Sequence, residues 1–121
     1  MKNFLAVYMG TQEARAKWDQ LSEAERKKRQ AAGMEAWMNW GQKNSGSIVE
    51  GGGPLGKTKR ASPQGIADIK NGMAAYVVVR AESHADAAKL FENHPHFTIF
   101  PGDSVEIMEC LPLPDSATRA A

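Results

Sequence analysis

Residues 73–80 read Met-Ala-Ala-Tyr-Val-Val-Val-Arg, and residues 3–9 read Asn-Phe-Leu-Ala-Val-Tyr-Met. In an extended chain successive side chains point to opposite faces, so Ala75, Val77 and Val79 share one face and Tyr76 and Val78 the other. Phe4, Ala6 and Tyr8 separate from Leu5, Val7 and Met9 in the same way. A surface strand alternates apolar with polar residues; these two are apolar on both faces, so both faces call for a cover.

Working outward, Ser22-Glu23-Ala24-Glu25 fits a capping box that opens a helix over residues 22–43. Leu21, Ala24, Ala31, Met34, Trp37, Met38 and Gly41 trace its apolar stripe, and Arg26 to Arg29 begin the wetter side. Asn44-Ser45-Gly46 stops it, with Gly46 suited to a left-handed cap. Ile48-Val49-Glu50 reads as a short strand running into Gly51-Gly52-Gly53-Pro54, with Lys57 to Ala61 as its hairpin partner and residues 62–72 as a loop. Ser83-His84-Ala85-Asp86 opens a second helix carrying Ala87, Ala88 and Phe91, which Pro95 ends. Ser104 to Leu111 supplies the last strand. The order β-α-β-β-α-β defines a ferredoxin-like α+β fold with an antiparallel sheet. Residues 1–111 form the single domain and residues 112–121 a loose tail. That fold covers one sheet face with helices and leaves the other bare. The doubly apolar strands therefore predict a homodimer joined through sheet faces.

The 121 residues are 42% hydrophobic and 24% charged, the usage of an ordinary globular domain with one core. Fifteen Lys and Arg balance 14 Asp and Glu, a net charge of +1, which offers no general field for nucleic acid or a membrane surface. Neither is expected as a partner. The single cysteine, Cys110, excludes an internal disulfide and reads as a small buried hydrophobe. The apolar run Phe4 to Met9 is too short for a signal core or a membrane span, and the expected location is cytoplasmic.

Gly51 to Thr58 spells G-x-x-x-x-G-K-T, but a phosphate loop needs a helix after it, and Lys59 to Gly65 cannot form one. The stretch reads instead as a glycine-rich approach in which Gly52 and Gly53 let the backbone run close to a ligand, with Lys57 placed to meet a substrate carboxylate. His94 and His96 stand two apart. Imidazoles titrate near cellular pH, which suits proton transfer, while the alternative has His94 capping the end of its helix through the last carbonyls. A metal wants three or four protein ligands, and Glu35, Asp103 or Glu109 could complete a set with the two histidines; no metal or cofactor is assigned. Glu35 lies beside the apolar stripe. It either reaches solvent or faces a pocket as partner to His94. Trp37, Trp40 and Tyr8 either pack in the core or wall a ligand cavity.

Gly51-Gly52-Gly53-Pro54-Leu55, Asn93-His94-Pro95-His96-Phe97 and Ser104-Val105-Glu106-Ile107-Met108-Glu109, in this order, resemble the YCII-related domain family, over about residues 2–111. The resemblance implies a small ferredoxin-like protein that pairs as a dimeric α+β barrel. It also implies an acid/base dyad, formed in that family by a His on the first helix and an Asp in an Asp-Pro step after the second. Here the corresponding positions carry Glu35 and His94, a reversed pair. The expectation is a small-molecule enzyme of lyase or isomerase type working between helices and sheet, with His94 and Glu35 catalytic and His96, Tyr8, Gly52, Gly53, Trp37 and Lys57 binding substrate. A non-catalytic small-ligand-binding or regulatory homodimer is the alternative.

Overall fold

A computed structural model describes residues 1–114. Strand β1 (Lys2–Gly10) leads through α1 (Gln12–Asp19) and α2 (Glu23–Lys43) to β2 (Ile48–Pro54). A hairpin of β3 (Thr58–Ser62) and β4 (Gly65–Ile69) precedes β5 (Met73–Ala81). Two short helices, α3 (His84–Lys89) and α4 (Pro95–Thr98), lead to β6 (Gly102–Glu109). The main sheet has the antiparallel order β2-β5-β1-β6. This is the ferredoxin-like arrangement, and the mixed α+β class expected from the strand pattern holds. The tail expected over residues 112–121 falls mostly on residues 115–121, which lie outside the described residues.

The two doubly apolar strands, β1 and β5, are the two inner strands of the sheet. Register pairs Phe4 with Val79, Ala6 with Val77 and Tyr8 with Ala75, so these face the helices together. With Ala81, Ala87 and Phe91 they form the core, and Trp37, Trp40, Ile48, Val105 and Ile107 pack against it. On the opposite face Leu5 pairs with Val78 and Met108, and Val7 with Tyr76 and Glu106. Among the described residues no layer covers that face. Val7 is nevertheless only 6% exposed, because a central strand is flanked on both sides by the side chains of its neighbours.

Ser22 caps α2 as expected, its hydroxyl accepting from the Glu25 amide at 3.1 Å. The box is only half formed, since the Glu25 carboxylate accepts from Arg29 instead. Of the stripe on α2, Met34 and Met38 stay 58% and 62% exposed, and Gly33 is the one fully buried residue of the helix. Gly46 is not left-handed: α2 ends at Asn44, whose side-chain amide donates to the Trp40 carbonyl, and a short 3-10 turn over Ser45–Ser47 follows.

One helix was not anticipated, and two further expectations are corrected. Residues 12–19 form α1, capped by Thr11 accepting from the Ala14 amide. Its one buried residue, Trp18, leaves no stripe for a periodicity argument to detect. The segment 57–61 does not pair with β2. It pairs with residues 65–69, which had read as loop, because Gly65 at φ +106 turns the chain back on itself and Lys59 meets Asp68 at 2.7 Å. Cys110 is exposed, since it follows the last residue of β6.

Gly52 sits at an irregularity in the β2–β5 pairing with φ +64, and a Cβ there would strike the Tyr76 carbonyl. Its freedom is thus used for backbone approach within the sheet. Gly52→Ala should destabilise the fold by ~2–3 kcal/mol, from left-handed strain plus the clash. Gly53→Ala, whose Cβ meets nothing within 4 Å, should stay near wild type. Thermal melts of the two variants side by side check this; equal melting temperatures would refute the role assigned to Gly52.

Candidate functional site

Asn93 takes φ 56, a left-handed turn that Asn tolerates better than most residues, and the chain then enters α4 with Pro95 at its first position. His94 is the N-cap of that helix. It does not close the preceding one, which ends at Lys89, and Pro95 begins a helix where the sequence reading had it end one. The Nδ1 atom of His94 accepts from the His96 amide at 3.0 Å. An accepting Nδ1 carries no proton in the neutral ring, so the proton resides on Nε2, which lies 3.3 Å from the Tyr8 hydroxyl oxygen. Tyr8 therefore accepts from His94, and its own O–H remains free to donate.

His94 is 1% exposed and ringed by aromatic side chains, with the Trp37, Trp40 and Tyr8 centroids 4.6, 4.7 and 5.0 Å away. Burial, with a smaller contribution from His96, lowers its pKa from 6.5 to about 4, so the ring is neutral at cellular pH. Burial also lowers the His96 pKa, opposed by the Met9 carbonyl, Asp103 and Ser104. The Nε2–H of His96 donates to the Met9 carbonyl at 2.7 Å. The backbone of Gly102 lies so close to this ring that any Cβ there would strike it. Burial raises the pKa of Tyr8 well above 10, which keeps it a neutral phenol.

Tyr8, Trp37 and His96 line a cavity of about 610 Å³ between α2 and the sheet, together with Trp40, Ile48 and Phe100. No Asp, Glu, Lys or Arg is among its lining residues. Gly53 lines it, whereas Gly52 does not. Lys57 lies on a separate recess beside the β3–β4 hairpin. Glu35 is exposed, does not line the cavity and makes no hydrogen bond or ion pair with His94. The expected carboxylate–imidazole pair is not formed, because α2 turns Trp37 and Trp40 inward and places Glu35 toward solvent. His94 itself lies behind the cavity wall and reaches it through Tyr8.

Trp37 and Trp40, weighed from sequence as core packing or a cavity wall, do both: they pack against the core and line the cavity. The Trp40 indole N–H donates to the Leu90 carbonyl at 2.7 Å, and its i,i+3 spacing from Trp37 puts the two rings on one helix face. Phe91, legible only as part of the second helix's apolar stripe, and Phe100, which sequence reasoning missed, complete the aromatic surround. Among the described residues no three His, Cys, Asp or Glu side chains gather in a way that could hold a metal, and no helix is long and apolar enough to cross a membrane.

No family model matches the chain, and no curated protein matches it. Among solved structures it is similar to 5-chloro-2-hydroxyhydroquinone dehydrochlorinase from Burkholderia phenoliruptrix AC1100 in complex with 2,5-dihydroxybenzoquinone. The identity is 13% over 88% of this chain and 90% of that one, with a TM-score of 0.48. A likeness that distant carries no argument about chemistry.

The low pKa of His94 has a consequence for stability. An unfolded histidine takes up its proton near pH ~6.5, whereas the folded ring resists until about pH 4. Between those values the unfolded state binds more protons, so stability falls on acidification across that window and levels off below it. His94→Asn keeps a side-chain acceptor at the helix cap and removes the titration. Melting temperature measured from pH 7.5 to pH 4 should decline less steeply in that variant, by about one proton's worth of slope; parallel curves would count against a neutral buried His94.

Proposed function

We propose that the protein binds a small, largely apolar molecule bearing a carbonyl or hydroxyl oxygen and acts on it by proton transfer, in lyase or isomerase fashion. The observation that carries this reading is the neutral chain His96 amide → His94 → Tyr8, which ends in a phenolic O–H at the wall of an uncharged, tryptophan-lined cavity. A phenol with a raised pKa stays protonated and so keeps its O–H, and accepting from His94 polarises that O–H toward donation. Aimed at a ligand oxygen in a dry cavity, such a donor stabilises charge that develops on that oxygen in an enolate-like transition state. His94 orients Tyr8. His96, whose Nε2 carries the proton given to Met9, has Nδ1 as its accepting nitrogen and is the candidate base. Trp37 and Gly53 shape the cavity.

This assignment moves the proton chemistry from the His94–Glu35 pair to Tyr8 and His96. It remains in keeping with the YCII-related resemblance of the chain, and with it goes the homodimer. The uncovered sheet face carries Leu5, Val78 and Met108, a surface suited to a second copy. The non-catalytic reading is favoured by one observation, the exposure of Glu35, which leaves no carboxylate in the cavity.

The two readings separate in one experiment. Gly41 lines the cavity and a Cβ there meets nothing within 4 Å, so Gly41→Leu should fill the space while improving helix propensity. The uncharged dye phenylnaphthylamine should bind wild-type protein and quench tryptophan emission, and Gly41→Leu should abolish both effects. A panel of cyclic unsaturated ketones in deuterated water should then gain deuterium next to the carbonyl faster with protein than without, and Tyr8→Phe should slow that gain by ~10²-fold. Dye binding without deuterium uptake would leave a binding protein; dye binding that Gly41→Leu does not disturb would remove the cavity from the argument. Light scattering of wild type against Leu5→Glu tests the dimer, with loss of half the mass expected for the variant.

A further inference from the structure

A second recess, of about 590 Å³, lies on the other side of His96 from the apolar chamber. The two share Ala74, His96 and Phe100 as common wall. Their linings differ in kind. The chamber has no charged side chain, whereas the recess carries Arg15 and Lys70, together with Thr11, Gln12 and Asn71, and no carboxylate among its lining residues. Lys70 pairs with no acidic group among the described residues, and Arg15 makes only a 3.6 Å contact with Asp19 between two largely exposed side chains. Neither cation is held in a short ion pair among the described residues. Asp103 stands close enough to act on His96, yet it does not line the recess.

Accepting the chamber as the ligand site, we propose that the recess is its anionic subsite. The ligand class is then an amphipathic organic acid, with an aromatic or unsaturated body against Trp37 and Trp40 and a carboxylate, sulfonate or phosphate end toward Arg15 and Lys70. The wall at His96 and Phe100 sets the junction between the two ends. Charge follows from the same division. An anion in the chamber would meet only neutral donors and lose its hydration, while in the open recess it meets two cations and keeps part of its water. Guanidinium and ammonium together give charge-assisted contacts without specifying one oxyacid.

Paired probes test this on the full chain. Anilinonaphthalenesulfonate and phenylnaphthylamine share their aromatic body and differ in the sulfonate. Each is titrated against wild type, Arg15→Gln/Lys70→Gln and Gly41→Leu, with melting temperatures to verify folding of these surface variants. The double variant should bind the sulfonate dye about tenfold more weakly, the loss expected for removing charge-assisted contacts, and the neutral dye unchanged. Salt should weaken the sulfonate dye on wild type and barely affect it on the double variant. If the double variant binds both dyes as wild type does, the anionic subsite is overturned while the chamber stands. If wild type binds neither dye, or Gly41→Leu binds both unchanged, the chamber reading fails and the subsite falls with it.

Discussion

A single imidazole joins three elements of this fold. His94 caps α4 through Nδ1, meets β1 through Tyr8 and is enclosed by Trp37 and Trp40 of α2. The Nδ1 atom can accept only while the ring is neutral. A proton on Nδ1 would face the His96 amide donor to donor, and a charge would sit in an aromatic cage far from water. The lowered pKa therefore expresses the same fact as the hydrogen-bond pattern: the packing of α2 and α4 on β1 is built around an uncharged histidine. The direction of the Tyr8 hydroxyl follows from it.

The cavity exists because α2 is poorly buried. A helix that laid Met34 and Met38 into the sheet would close the space; instead it rests on Trp37 and Trp40 at one end and on Gly33 near Phe100. Two tryptophans three residues apart act as spacers and hold the helix off β2 and β5. The resulting chamber takes its chemistry from neutral groups: aromatic rings, the exposed Met34 and Met38 at its edge, and the buried phenol of Tyr8. Charged residues stand apart from it: Arg15 and Lys70 line the separate recess that also touches His96 and Phe100.

The sheet has a different imbalance. Its helix face is closed, while the other presents Leu5, Val78 and Met108 with Glu106, Arg80 and the Tyr76–Glu50 hydrogen bond around them. Central strands shelter one another, which explains how Val7 is buried without a second layer. The flanking residues lack that shelter. An apolar face with polar edges is the form expected of a surface that pairs with its own copy.

Periodicity along the chain was sufficient for β1, β5 and β6, because burial of a repeated face writes period 2 into the residues, while Ser22 and Ser83 marked the starts of α2 and α3 as caps. From those elements and their order the ferredoxin-like class followed. The histidines, Tyr8 and Trp37 were also legible as chemistry-bearing types. Local pattern could not reveal α1, held by Trp18 alone, nor the β3–β4 hairpin, whose strands bury nothing and are set by a turn at Gly65. Nor could it decide which of the candidate residues meet. Tyr8 and His94 are 86 positions apart and touch; Glu35 and Trp37 are neighbours on one helix, yet only Trp37 faces the cavity. The residue types and their faces are local properties of the chain, and the sequence by itself determined those. The rotation of α2 and the capping of α4 depend on how whole elements pack, so only the tertiary structure decided which side chains share the site.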